Sequence, residues 1–472
     1  MRTTLTDLLV ATSLLGVFAP LVSTGCVNDD EDGMEDSGMD STAGMTTGIS
    51  GTGTDTGMMT TGTDTTGDDT GSSTCVGKAD AGAPRVIVNA DITVPTTWTC
   101  DNLYILAPDS HIFVRGTSLT IEPGVTVLGN ANSALVIEKD ATLIAEGTAT
   151  QPIVMTSAAA TPARGDWGGL IFLGRARTNV IEGMAEGFPV PPTYGGNDDT
   201  HNCGTLAYAR IEWAGYAISP GNELNGITFY SCGNNTNVHH VQVHMGQDDG
   251  IEFFGGTMNL HHIVVTGAAD DSLDIDQGFR GKLQHVFIQQ DPVIGDNCYE
   301  ISNNGTAFDA APLTAPEICN ATCIGSGVGG EKSKGFTFKE GTMVGIYASI
   351  FLNNTKEVGL ITHTETKTVA DSGGIGVRAN MFYASGIPAF VTDITGWDNA
   401  SWEAWVMAMA NGNSIADPQI LGAQWGMPNP VPGAAAQHTM PIPCADATTH
   451  IGAVDPAGPN WTSEAWINYS PF

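Results

Sequence analysis

From about residue 85 onward, apolar residues come in short alternating runs broken by Gly, Asn and Asp. Leu119-Thr120-Ile121, Val125-Thr126-Val127, Ala134-Leu135-Val136-Ile137, Thr142-Leu143-Ile144 and Ile153-Val154-Met155 are examples. Alternation over so few residues predicts short strands, and turn residues this regular predict a sandwich, a barrel or a solenoid. The repeat chooses among them. His239-His240-Val241-Gln242-Val243 recurs as His261-His262-Ile263-Val264-Val265 and again as Gln284-His285-Val286-Phe287-Ile288, at offsets of 22 and 23 residues. The turns recur too, with Asp248-Asp249-Gly250-Ile251-Glu252-Phe253 echoed by Asp270-Asp271-Ser272-Leu273-Asp274-Ile275, again 22 residues on. A period near 22 fits one coil of a parallel β-helix, an all-β solenoid in which each coil stacks about 4.8 Å above the last. Turn Asp and Asn accept hydrogen bonds from turn N–H groups, and Gly supplies positive φ.

Two stretches break the rhythm. Residues 296–334 hold three cysteines and several glycines and read as a loop inserted between coils. Residues 395–472 hold Trp397, Trp402, Trp405, Trp425, Trp461 and Trp466, with a helix expected over Trp402–Ala408. A solenoid end exposes core and an unpaired strand edge, so this segment is expected to be a C-terminal cap. An aromatic platform for stacking sugars is the alternative.

The N-terminus changes the compartment. Arg2 precedes an apolar stretch from Leu8 to Val22, followed by Ser23-Thr24-Gly25-Cys26. A short apolar segment with a basic start and small residues at its end is a secretion signal, too short to span a membrane. The residues before Cys26 resemble the lipobox of bacterial lipoproteins, which implies diacylation of Cys26 as the new N-terminus; Ser23 stands where Leu is usual. From Val27 to about Ala83 the chain is Gly, Thr, Asp, Ser and Met without aromatics, and reads as a disordered tether. The expected organisation is a signal peptide over 1–25, a tether over 26–84, the β-helix over 85–394 and the cap over 395–472. Eight cysteines remain after Cys26, an even number suited to disulfides in an oxidising compartment. Proximity pairs Cys75 with Cys100 and Cys203 with Cys232, and Cys298 with either Cys319 or Cys323, leaving Cys444. The net charge of −34, from 51 acidic and 17 basic side chains, argues against nucleic acid and anionic lipid surfaces as partners.

Several stretches also resemble a group of β-helical surface lipoproteins of Gram-negative bacteria. They include Leu119-Thr120-Ile121-Glu122-Pro123-Gly124-Val125, Gly165-Asp166-Trp167-Gly168-Gly169-Leu170-Ile171, Ala209-Arg210-Ile211-Glu212-Trp213-Ala214-Gly215 and Asp248-Asp249-Gly250-Ile251-Glu252-Phe253-Phe254-Gly255-Gly256. The ending, with His450-Ile451-Gly452-Ala453-Val454 and Trp461-Thr462-Ser463-Glu464-Ala465-Trp466, is similar too. The resemblance covers nearly everything after residue 85. It implies a pectate-lyase-like right-handed parallel β-helix and an outer-membrane or cell-surface address, held to the membrane by the N-terminal lipid. It implies no reaction.

Candidate chemistry concentrates on one face. If the coils stack in register, Asp248 lies over Asp270, Asp249 over Asp271 and Glu252 over Asp274, with Asp276 nearby and Asn197-Asp198-Asp199 a further candidate. Carboxylates so close repel unless something neutralises them. Calcium, which takes six to eight oxygens, is one reading; turn Asp residues that cap N–H groups separately are the other. A second column, His240, His262 and His285, is expected to point outward opposite Val241 and Val243. It reads as an exposed ladder, with zinc or copper on the ring nitrogens as the functional alternative. A polysaccharide lyase or glycosidase would use Asp248 and Asp249 with Arg280 or Lys282 as the local basic candidates. The residues that complete a polygalacturonase site are missing around Asp248-Asp249, and fold analogy alone carries no activity. The sequence therefore points to a surface-anchored binding or structural module, calcium-stabilised, with glycans or surface proteins as partners; the polysaccharide-active enzyme is the alternative.

Overall fold

Short alternating strands that cannot bury a face alone bury it by stacking, and the computed structural model shows how. It describes residues 75–471 apart from 182, 220–221, 328–329 and 331. The signal peptide, Cys26 and nearly all of the tether lie outside the described residues. Among these residues the long strands form one sheet of ten and one of seventeen, and every pairing within both is parallel. The ten-stranded sheet runs in strict chain order, from His111–Val114 to Phe390–Thr392. This is the parallel β-helix that the repeat predicts, right-handed as the resemblance implies.

One coil illustrates the plan. Ile227–Tyr230 lies in the ten-stranded sheet, the chain turns into Asn237–His244 in the larger sheet, and a second turn returns it to Ile251–Phe254 directly above the start. The 22–23-residue repeat becomes spatial register: Val241 pairs Ile263, and Ile263 pairs Val286. Inward-facing Val241, Val243, Ile263, Val265, Val286 and Ile288 are buried in one continuous core. Aromatics stack through it, Phe172 on Phe229 at 4.9 Å and Phe229 on Phe253 at 5.6 Å between ring centres.

Each long outer strand bends at one residue. His240, His262 and His285 sit in the left-handed region (φ 53°, 56° and 57°), and each drops out of the strand pairing. Histidine is among the non-glycine residues enriched there. The bend resets the alternation, so residues on either side of it do not follow a single period of two.

That reset decides the cysteines. Cys319 and Cys323 flank the left-handed Asn320 (φ 49°) and face opposite ways. Cys298 bonds Cys323 within the helix, while Cys319 bonds Cys444 far along the chain. Cys75–Cys100 and Cys203–Cys232 form as proximity suggests.

Residues 296–334 are not one inserted loop. They contribute strands Asn297–Ile301 and Glu317–Ile324 to the two sheets, and the excursion between these strands is the irregular part. The coils continue behind a composition rich in polar and small residues.

The tryptophan-rich end does two jobs. The helix Asn399–Val406, capped by Asp398 accepting from the Ser401 N–H at 2.9 Å, lays buried Trp402 over the last coil. Its indole donates to Gly359 O at 3.2 Å. The remainder runs back along the flank of the larger sheet, where outward side-chain amides bind its backbone. Gln242 donates to Asn468 O and accepts from its N–H at 2.7 Å. Gln284 bonds Asp446 in the same two-way manner, at 2.9 and 2.7 Å. Trp461 and Trp466 pack here, against a flank that includes Val264, Phe287 and Ile350. Among the described residues no helix is long and apolar enough to cross a membrane.

Candidate functional site

The outward face of the ten-stranded sheet carries a column of carboxylates. Glu252 pairs Asp274, and Asp274 pairs Glu300, in register on three successive coils. In the turn before these strands, Asn225, Asp249, Asp271 and Asn297 form a second column. The side-chain oxygens of the first three accept the backbone N–H of the next residue in the column, one coil on: Asp249 N–H at 3.2 Å to Asn225, Asp271 N–H at 2.9 Å to Asp249, Asn297 N–H at 2.6 Å to Asp271. This is turn capping, as one of the two sequence readings has it, and it engages Oδ1 of Asp249 and of Asp271.

Carboxylate oxygens of these and neighbouring residues converge. Asp248, Asp249 and Asp270 bring ligand atoms within 4.8 Å of one another, and so do Asp249, Glu252 and Asp274. Asp270, Asp271 and Asp296 form a third such group, and Asp271, Asp274 and Glu300 a fourth. Ca–O bonds of about 2.4 Å put opposite ligands about 4.8 Å apart, so each group fits inside one calcium shell. Asp274 belongs to two groups, and its Oδ1 is buried without a hydrogen-bond partner. Lys334 pairs Asp296 at 2.9 Å and Lys339 pairs Glu300 at the far end of the column. Asp248, Asp249, Glu252, Asp271 and Asp274 have no lysine or arginine within salt-bridge distance among the described residues.

The family described as a pectate-lyase-like β-helix domain matches residues 90–417, well over half of the chain. The chain belongs to that family. No curated protein and no solved structure matches it.

In this pectate-lyase-like domain the acidic face is electrostatically costly. Burial first, and then neighbouring carboxylates, push Asp248 and Asp271 up to about 7. Asp276 reaches about 7 through burial. Asp249, Glu252 and Asp274 are pushed well above the ordinary carboxylate range by burial and by one another. Glu186 arrives from the excursion between Leu173 and Gly204, which folds back over this face with Ala185, Phe188 and Tyr194. Its carboxyl, at about 7, hydrogen-bonds Glu252.

Asp296, Glu300 and Glu186 are functional candidates that sequence reasoning misses. Glu300 follows Asn297 by three residues, as Glu252 follows Asp249 and Asp274 follows Asp271. That spacing was available as a signal, hidden by the longer offset of this coil. Nothing local in the sequence announces Glu186.

The remaining sequence candidates lie elsewhere. Arg280 is held at Asp199, 3.3 Å away, and Lys282 at Glu317, 2.6 Å away, so the structure brings neither basic residue to Asp248 and Asp249. Asn197-Asp198-Asp199 does not extend the acidic column: Asp199 is taken by Arg177 and Arg280, and Asp198 caps Thr200.

The histidine column corrects an expectation. His240, His262 and His285 do stack on successive coils, at 4.5 and 4.9 Å between rings. They are half-buried, however, because the returning C-terminal segment covers them: Trp466 meets His240 edge-on, Trp461 meets His262, and His450 stacks on His285. An alternation pattern shows which way a side chain points and says nothing of what distant segment lies on top.

Proposed function

We propose that this pectate-lyase-like domain is a cell-envelope surface module, exported and lipid-anchored at the outer membrane through Cys26, that binds calcium on its acidic column as a structural ion and presents its flanks to glycans or surface proteins. The observation that carries the calcium reading is Asp274 Oδ1, buried and unpartnered where two groups of converging carboxylates meet. A bound cation would give that oxygen a partner and neutralise Asp249, Glu252 and Asp271 together. Support for export comes from the disulfides, which join all eight cysteines after Cys26. An eliminating site would need a basic residue beside Asp248 and Asp249, and Arg280 and Lys282 are committed to other carboxylates.

Thermal melting tests the calcium reading. A ligand at a hundredfold above its Kd stabilises by about 2.7 kcal/mol, which for a domain of this size moves the melting point by about 3 °C. Millimolar calcium after EDTA is expected to produce that rise, and magnesium is not. Asp249→Asn with Asp271→Asn keeps the oxygens that cap the turns but removes two charges, so the double variant should lose the response. Equal responses to both ions, or none, would return the column to turn capping alone.

The anchor has its own test. Labelled fatty acid is expected to enter the wild-type chain and not the Cys26→Ser variant, and equal labelling of both would refute the anchor.

A further inference from the structure

The structure assigns a second metal site, on the opposite flank: we propose that His239, His240, His261 and His262 hold one late first-row transition-metal ion, copper(II) or zinc(II), beneath Trp461 and Trp466. Two His-His pairs stack on adjacent coils. His239 lies over His261 at 5.1 Å and 7°, and His240 over His262 at 4.5 Å and 5°. Within each coil the two rings stand nearly perpendicular and bring their Nδ1 atoms together, 3.0 Å apart for His239 and His240 and 2.8 Å for His261 and His262. Without an ion, each pair shares one proton in an N–H···N hydrogen bond. With an ion, the donating ring carries its proton on Nε2 instead, and the stacked rings turn so that the Nδ1 lone pairs converge on the metal.

Distances suit this use. Metal–nitrogen bonds of about 2.0–2.1 Å put adjacent ligands about 2.9 Å apart at a right angle and about 3.3 Å apart in a tetrahedron. The two Nδ1 separations match the right-angled case, the tetragonal preference of copper(II). Across the coils, ligand nitrogens of His240, His261 and His262 lie within 4.8 Å of one another, wider than the spacing of adjacent ligands, so binding would draw the rings of the two coils together.

Backbone geometry alone does not account for four histidines. The left-handed bend explains histidine at 240 and 262. His239 and His261 occupy ordinary paired strand positions, where no turn asks for an imidazole. Burial, then neighbouring imidazoles, hold His240 down at about 4 and His262 at about 3, so both lone pairs are available at neutral pH. Glu146 acts on His239 and Asp446 on His261, which supplies compensating negative charge near a cation. The chain's charge of −34 draws cations from solution.

The covering indoles supply the readout, because Trp461 lies 4.9 Å from His262 and Trp466 5.8 Å from His240. The untagged full chain, extracted from membranes in detergent and stripped with EDTA, is titrated with copper(II), zinc(II) and calcium. Copper is expected to quench tryptophan fluorescence with saturation at one ion per chain, and its EPR spectrum to show coupling to three or four nitrogens. Zinc should compete for the same site, and excess calcium should not. His239→Gln with His261→Gln should weaken copper binding at least 100-fold. His262→Asn, which the left-handed bend accepts, should do the same should the first variant fold poorly, while His285→Gln should bind as wild type does. Unchanged affinity in a folded variant lacking these imidazoles, or a copper spectrum without nitrogen coupling, would overturn the site.

Discussion

In EDTA the protein is expected to lose stability as pH rises through 7, a loss set by one cluster and partly offset on the acid side by another. On the alkaline side the carboxylates decide. Asp248, Asp271, Asp276 and Glu186 are held at about 7 in the fold, well above the unfolded carboxylate value. Between that value and 7 the folded chain binds more protons than the unfolded one, so stability falls as pH rises through 7. For Asp276, moving from 3.8 to about 7 corresponds to about 4 kcal/mol lost by the time it is fully ionised. The others share protons and titrate as a set, so their contributions do not simply add. Between pH 6.5 and 8.5 each such carboxyl contributes about 1 kcal/mol, and the set should lower the melting point by about 4 °C.

On the acid side the imidazoles oppose. His240 and His262 are held at about 4 and about 3, below the unfolded value of 6.5. Below pH 6.5 the unfolded chain takes protons that the fold refuses, which subtracts from the stability that the carboxylates regain on acidification. Calcium should flatten the fall through pH 7 and leave the imidazoles' contribution in place. His262→Asn should enlarge the gain on acidification. A melting point that keeps rising from pH 6.5 to 8.5 in EDTA would contradict the raised carboxyls, and an alkaline limb indifferent to calcium would detach the ion from this face.

The second large effect is expected from one disulfide. Cys319–Cys444 closes 125 residues of chain and ties the returning C-terminal segment to the helix flank. Loop-closure entropy for a ring of that size corresponds to about 5 kcal/mol. Cys203–Cys232, with a separation of 29, corresponds to about 4 kcal/mol on the same scale. Replacing Cys319 and Cys444 together by Ser should therefore lower stability more than replacing Cys203 and Cys232. It should also loosen the flank, where the hydrogen bonds of Gln242, Gln284 and Asn320 and the packing of Trp461 and Trp466 would be left to hold the segment without a covalent tie. Hydrogen exchange localises the change to residues 445–471 and the strands beneath. A double variant that melts within a degree of wild type, with its flank still protected, would show that the hydrogen bonds and packing suffice.

Much of this fold is legible along the chain because a β-helix writes its third dimension into its period. Residues about 22 apart become neighbours 4.8 Å apart, so His239 over His261 and Glu252 over Asp274 follow from counting alone. The acidic column was readable for the same reason, and so were two disulfides between nearby cysteines. Counting fails where the period breaks. The left-handed bend at Asn320 inverts the parity that a four-residue spacing suggests, and it sends Cys319 outward to Cys444 while Cys323 turns in to Cys298. Glu186 reaches the acidic face on an excursion whose landing is set by apolar contacts of Ala185, Phe188 and Tyr194. Trp461 and Trp466 reach the histidines because outward glutamines bind a distant backbone. The sequence by itself determined the coil, its register and the columns that stack on it, since these depend on near-periodic local geometry. The tertiary structure alone decided which columns are buried, what covers them and which cysteines meet, since those depend on aperiodic segments folding back onto the helix.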